Sequence, residues 1–582
     1  MHQLRSFIFF ILIILTALTV PVMAQQENGT TSLLPDIDPQ DIEIRGDFEV
    51  RFPGLERQPV LGFSPRPAVY RIDPDRMPFI ESDDEIVAAI PISELEPALK
   101  PEQHFIRFAD QRNLFARIGM GTFQSPEIRI IAETPVRENE SLALDLGHHS
   151  SEGDRDFSSF RNQTGNLQWT RQSGSNRFGF GISGSSSFNY SPYPGPRDSL
   201  LIMLFPDGDF DPQRISHSSF GLEGRWQHLE HAYRGWQSAL SLHSFSNEGY
   251  YADQELRSTK ENRYNLHINR FWEGSLPEQV FGLQVRVAGS TYDTREDESQ
   301  YWLTNSVGTR YRHLFGLSHH VEAWMRFYQL YDPVNNFDLY LYPDIHYRFE
   351  GTSRVNAKVR IRGFVRDPSL EKWHERNRFA LQVGSEMEHE RGLHIQLQTG
   401  FQFLQNLNVY TGLDYWQYYN RGYFTKAPEL DESEHSPYFS YQFLEDAIHV
   451  EWFSGLTGSI PSMKTSASVE LGLNYSSANE EIIPSGVIPY VPKWKGSVQF
   501  MSHPMSWIDM ALWMDILGER QTVYEDEVVD GFVQLGFRTD VQLHRNFGVY
   551  VKALNVLNQD YEVWQHYQER PFQLFGGLTL HW

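Results

Sequence analysis

The sequence predicts an all-β protein: a large transmembrane antiparallel β-barrel of about 22 strands behind a short irregular N-terminal segment. Three observations predict it. From Leu114 to Trp582, segments of about 10 to 14 residues alternate apolar with polar or small residues, and turn-formers separate them throughout. Aromatics make up 14% of the chain and gather at the ends of these segments, as the interfacial girdles of a membrane barrel require. An export signal comes first.

That signal is read from Arg5, the apolar run Phe7 to Val20, and Pro21-Val22-Met23-Ala24, with cleavage expected between Ala24 and Gln25. After it, no apolar run of about 18 residues recurs, so a multi-span helical membrane protein is excluded. Cysteine is absent, which rules out a lipoprotein and suits an oxidising envelope compartment. The division expected is therefore a signal peptide over 1–24, a Pro-rich acidic periplasmic segment over 25–113 and the barrel over 114–582. The middle segment contains one alternating stretch, Ile42 to Phe52, and reads as a tether or a partial lumen filler.

Individual strands show the period plainly. Val355, Ala357, Val359 and Ile361 share one face, and Asn356, Lys358, Arg360 and Arg362 share the other. Leu393, Ile395, Leu397, Phe401 and Phe403 oppose His394, Gln396, Gln398 and Gln402 in the same way. Short connections at Ser173-Gly174-Ser175, Leu229 to Ala232 and His544-Arg545-Asn546 suit periplasmic turns. Long polar ones from Ser191 to Ser216, Asn420 to His435, Ala478 to Pro492 and Gln521 to Gly531 suit outer loops. Counting every alternating run gives 24 strands and puts Asn420 to His435 on the periplasmic side. Assigning Phe379 to Glu390 to an outer loop and Tyr438 to Leu456 to one long strand gives 22, the preferred count.

Toward the C-terminus, Pro489, Pro492 and Lys493 open a strand, Gly518 and Arg520 end the next, and Asn555, Leu557, Asp560 and Tyr561 follow the penultimate one. In this order, over about 95 residues, the series resembles the C-terminal barrel of TonB-dependent receptors. The resemblance implies a barrel of 22 strands and solute binding or transport, with TonB as partner. The region from Gln25 to Gln111 shows neither the Arg-Gly nor the Asp-Gly-(Val/Ile)-Pro motif of the receptors' plug, so a plug-less barrel is expected. A lumen of this width must then be filled by the N-terminal segment, by outer loops folded inward or by a partner, or else conduct.

The last strand places Phe572, Leu574, Leu578, Leu580 and Trp582 on one face, resembling the insertion signal read by the barrel-assembly machinery. Outer-membrane lipid and that machinery are its expected partners. Other motifs carry little: Gly179, Gly181 and Gly184 spell a phosphate-loop pattern inside a strand, and His148-His149 and His319-His320 are adjacent pairs without the spacing of metal ligands. No cofactor, metal or enzymatic activity is expected, and a net charge of −25 argues against nucleic acid. Two functions remain. One is a receptor-like barrel that binds or passes a solute; the other is a structural platform for envelope proteins.

Overall fold

A computed structural model describes residues 114–582 except 138, 155–157, 191–213, 232–233, 252–253, 277, 294–298, 317, 335, 351–353, 381–386, 405, 427–438, 462–463, 526 and 566. The expected signal peptide with its Ala24-Gln25 cleavage site, the Ile42 to Phe52 stretch and the question of a plug all lie outside the described residues.

The barrel has 22 antiparallel strands. Each pairs with its neighbour in sequence, and the first, Leu114–Gly121, pairs with the last, Gln573–His581, to close the sheet. Closure satisfies every strand edge, which is the condition for spanning lipid with strands. An even count returns the last strand to the rim where the first began. Leu114 N donates to Trp582 O at 2.9 Å and Trp582 N to Leu114 O at 2.8 Å.

The disputed region resolves in favour of the lower count. Phe379 lies in the outer connection between Val355–Arg366 and Glu390–Leu404 and forms no barrel strand. The expected strand from Tyr438 to Leu456 forms as two pieces, Phe439–Leu444 and Ala447–Ile460. Both pair with Leu407–Lys426, Leu444 with Arg421 and Ala447 with Tyr418, so one register runs through a kink at Glu445-Asp446. The kink exists because Asp446 adopts positive φ (54°). Only the second piece continues round the barrel; Asn420 to Lys426, expected as loop, is the end of the strand Leu407–Lys426, which finishes on the outer side.

Alternation sorts the side chains by face. Leu283, Val307, Ile345, Ile361, Leu471 and Leu578 are exposed on the lipid-facing side, while Arg362, His394, Glu451, Arg538 and Lys552 are buried on the lumen side. Aromatic clusters are divided by the same rule. Tyr301, Tyr419 and Trp452 face outward, but their neighbours Trp302, Tyr418 and Trp416 are buried facing the lumen, so half of each supposed girdle cluster lines the interior.

The seam is glycine-rich for a steric reason. Gly119 stands opposite Gly577. A Cβ on Gly577 would come within 2.5 Å of Gly119 Cα. Inside the seam, Glu127 receives Arg117 at 3.2 Å and Lys552 at 2.7 Å, joining both sides of the closure through a buried ion triad.

Candidate functional site in the lumen

The described residues of the connection between Arg366 and Glu390, 367–380 and 387–389, fold inward rather than away from the barrel. Its one helix, Leu370–Arg376, starts where Ser369 caps it by accepting from Lys372 N at 3.3 Å. Glu371 in the first turn and Arg376 in the last suit the helix dipole. Trp373 stacks on Tyr441 at 3.7 Å and Phe379 on Tyr567 at 4.0 Å, so the loop packs against neighbouring outer connections. The helix then reaches the lumen wall on strands far away in sequence.

Two latches hold it there. In the first, Asn247 Nδ2 donates to His374 Nε2 at 2.6 Å, Arg263 pairs with Glu371, and Glu261 accepts from Leu370 N at 3.0 Å. Burial, with the ring of His217 stacked 6.4 Å away, pushes the His374 imidazole down to about 3. It is therefore neutral when docked. In the second latch, Thr304 Oγ1 donates to Asp367 Oδ1 at 2.8 Å and lies 2.8 Å from His389 Nε2, while His389 Nδ1 lies 2.8 Å from Asp332 Oδ2. Burial alone would raise the Asp367 carboxyl, but Arg286, His389 and the Thr304 hydrogen bond together hold it below its ordinary value.

The second latch has the outline of a hydroxyl–imidazole–carboxylate triad, and its chemistry is different. Thr304, His389 and Asp332 are all fully buried, and the hydroxyl proton is directed to Asp367 rather than to the imidazole. A nucleophile needs an accessible oxygen and a base to take its proton. Ser187 and His217 approach to 2.6 Å, but His217 Nδ1 also lies against the same hydroxyl at 3.1 Å. That ring is held by packing against His374 and Phe245.

Below the loop the lumen wall is divided by charge. Strands His319–Tyr331, Asp338–Glu350 and Val355–Arg366 present Arg326, Arg348, Lys358, Arg360 and Arg362 inward with Glu322 and Asp344 among them. From Leu407–Lys426 to Ile508–Leu517 the same face carries Asp414, Glu451, Glu470 and Asp515, with Lys495 paired to Glu451 at 2.7 Å. Strands Phe160–Ser173 and Asn176–Tyr190 are lined instead by Asn162, Thr164, Asn166, Ser183 and Ser185.

The residues singled out from sequence fall into three places. Phe572, Leu574, Leu578, Leu580 and Trp582 are all exposed on the outward face, on or beside the closing strand. The C-terminal motif residues gather at the outer rim, where they build turns. Arg520 is fully buried and donates to the carbonyls of Val563 (2.7 Å), Glu562 (2.7 Å) and Asp530 (3.0 Å). Burial lowers its guanidinium to about 10, which leaves it cationic. Gly518 N donates to Trp494 O at 2.8 Å, Lys493 pairs with Glu519, and Pro492 bridges to Arg520. Tyr490, between Pro489 and Pro492, takes positive φ (61°). Asn555, also at positive φ, donates to Gln559 O at 2.9 Å and Arg570 O at 3.0 Å, and Tyr561 stacks on Phe532 at 4.2 Å. Leu557 and Asp560 are exposed. These motifs therefore shape the loops and leave the lumen to other residues.

The histidine pairs are split by alternation. His149 packs edge-on against Phe160 in the lumen, while His148 meets Gln163 at 3.2 Å on the other face. His319 contacts the Tyr347 hydroxyl at 2.8 Å, and His320 turns inward toward His346. Among the described residues, no group of three or more His, Asp or Glu is placed to hold a metal ion. Gly179, Gly181 and Gly184 lie within Asn176–Tyr190, which continues as strand on both sides of them. The sequence reading missed the latches, since Asn247 and His374 are 127 residues apart and nothing local marks them as partners.

Solved structures of similar architecture exist. The ferric enterobactin receptor PfeA from Pseudomonas aeruginosa matches with a TM-score of 0.61 and 10% identity over 81% of this chain and 80% of that one. The fold is that of a siderophore-receptor barrel. The ferric-catecholate import receptor Fiu from Escherichia coli K12 matches with a TM-score of 0.61 and 10% identity over 82% of each chain. The siderophore receptor PirA from Acinetobacter baumannii gives 0.60 and 10% over 82% and 81%. The receptor-like barrel expected from the C-terminal motifs is thus the fold of this chain, and it belongs in the outer membrane. No protein family and no curated protein matches the sequence.

Proposed function

We propose that this barrel binds a solute at the cell surface and passes it through the outer membrane, with the inward loop between Arg366 and Glu390 as the constriction the solute must displace. The single observation that carries this reading is the double latch of that loop onto the lumen wall. A loop that only decorated the surface would have no reason to bury His374 and Asp367 against strands on the lumen wall. The shared barrel fold supports the same reading, since Fiu is an import receptor. TonB is the partner proposed for energising passage, and barrel-assembly recognition of Phe572, Leu574, Leu578, Leu580 and Trp582 is proposed for insertion.

Conductance tests the proposal. The full chain, a form lacking residues 25 to 111 and an Asn247→Ala, Thr304→Val latch variant would be compared in planar bilayers. The latch variant should carry more current than the full chain, alone or combined with the truncation. Absence of current in all forms would count against a solute path. Co-purification of TonB with the full chain tests the energised form of the reading.

A further inference from the structure

The lumen wall of His319–Tyr331, Asp338–Glu350 and Val355–Arg366 holds positive charge in an arrangement that folding alone does not favour. Register sets Arg348 directly opposite Lys358, with Arg360 one inward position further along the same strand. Like charges directly across a strand pair destabilise it. The nearby carboxylates are already engaged. Asp344 receives Arg360 at 2.8 Å and Arg326 at 3.3 Å, and Glu322 receives Arg310 at 2.9 Å and Trp324 Nε1 at 2.7 Å. Among the described residues Arg348 reaches only Glu350, at 3.6 Å with both side chains well exposed. Lys358 makes no hydrogen bond or ion pair among the described residues.

Two guanidinium groups beside this pair are held in place. Arg310 and Arg326 lie over the Trp324 ring at 5.3 and 4.9 Å. Held guanidinium groups are suited to two-point contact with carboxylate or phosphate, and a lysine beside them adds a mobile point charge. In a chain of net charge −25, this local surplus has the opposite sign to the whole.

We infer that this wall is a binding site for a polyanionic solute, one bearing clustered carboxylate or phosphate groups, with Arg348 and Lys358 as its principal contacts. The inference deepens the transport reading and rests on the lumen being a solute path. Strand direction puts Arg348 and Lys358 in the periplasmic half of the barrel, below the latched loop, so an anion entering from outside meets them after the constriction.

The test uses the full chain in detergent micelles, titrated calorimetrically with tripolyphosphate and separately with citrate. Saturable binding of at least one probe is expected, weakening as KCl rises. The Arg348→Gln, Lys358→Gln double variant should bind about tenfold or more weakly. The Arg348→Lys, Lys358→Arg exchange should restore most of the affinity while heat-modifiable migration stays normal in all forms. Which probe binds tells phosphate from carboxylate. Failure of both probes to bind, or equal affinity in wild type and double variant, overturns the inference. Conductance through the latch variant would survive that result, so the two failures remain distinguishable.

Discussion

Charge meets the lumen in two ways in this barrel, and the two places differ in how it is neutralised. At the inward loop, Glu261, Asp332 and His374 are buried and Asp367 is partly buried, and the carboxylates have named partners at short range. On the wall around Arg348 and Lys358, like charges face one another, half open to the lumen. Buried charges without partners cost several kcal/mol, so the first arrangement is what holding a loop requires. Like charges facing one another add nothing to the stability of that strand pair, and an anionic ligand would neutralise them.

Substitutions should have opposite signs at the two places. The largest effect is expected from Glu261→Ala, which leaves the first amide of the loop helix without its buried acceptor and Arg263 with Glu371 alone. Release of the loop should be favoured by about 3 kcal/mol. Hydrogen–deuterium exchange over Leu370–Arg376 would show it as lost protection, and unchanged exchange would mean that the latch does not hold the loop.

Acid should loosen the same loop by less. Docked His374 is held down to about 3 and the free side chain titrates near 6.5, so the docked state binds fewer protons between those values. Docking is therefore at full strength above about pH 6.5 and weakens by up to about 1.4 kcal/mol per unit below it. From pH 7 to pH 5 the loss is about 2 kcal/mol, while Asp367, with its carboxyl already depressed, stays ionised throughout. Protease accessibility of the loop at the two pH values would check the direction, and His374→Phe should reduce the dependence, leaving the share of His217 and His243, which also lie against the loop.

The smallest effect has the reverse sign. Lys358→Gln alone should stabilise the barrel by about 0.5 kcal/mol by removing a like-charge cross-strand pair. Urea unfolding in micelles would measure it. Destabilisation instead would show that Lys358 supports the wall, and the contrast between the two regions would collapse.

The sequence made the barrel legible because its determinants are local. Period-two alternation in Val355–Arg366 and short turns at Gly174 and Arg545 are visible within a dozen residues, and they set face, direction and count. Aromatic runs such as Trp416 to Tyr419 suit a girdle by composition, which does not reveal which member points outward; only the pleat decides. The loop and the charged wall were beyond such reading. Arg378 meets Glu569 across 191 residues, and Arg348 acquires meaning only when register sets it against Lys358. The C-terminal motifs were legible as a family series, and the structure shows that they serve outer-rim turns rather than the lumen.

Thr304 has one more consequence. Its single hydroxyl touches both Asp367 at the start of the inward loop and His389 at the end, so it acts as a non-covalent staple at the neck of a closed ring. A ring tied at its neck has little freedom to fray from one side. Its excursions should be all-or-none, like a hinged stopper, because one hydroxyl on the lumen wall ties the two ends of the loop together.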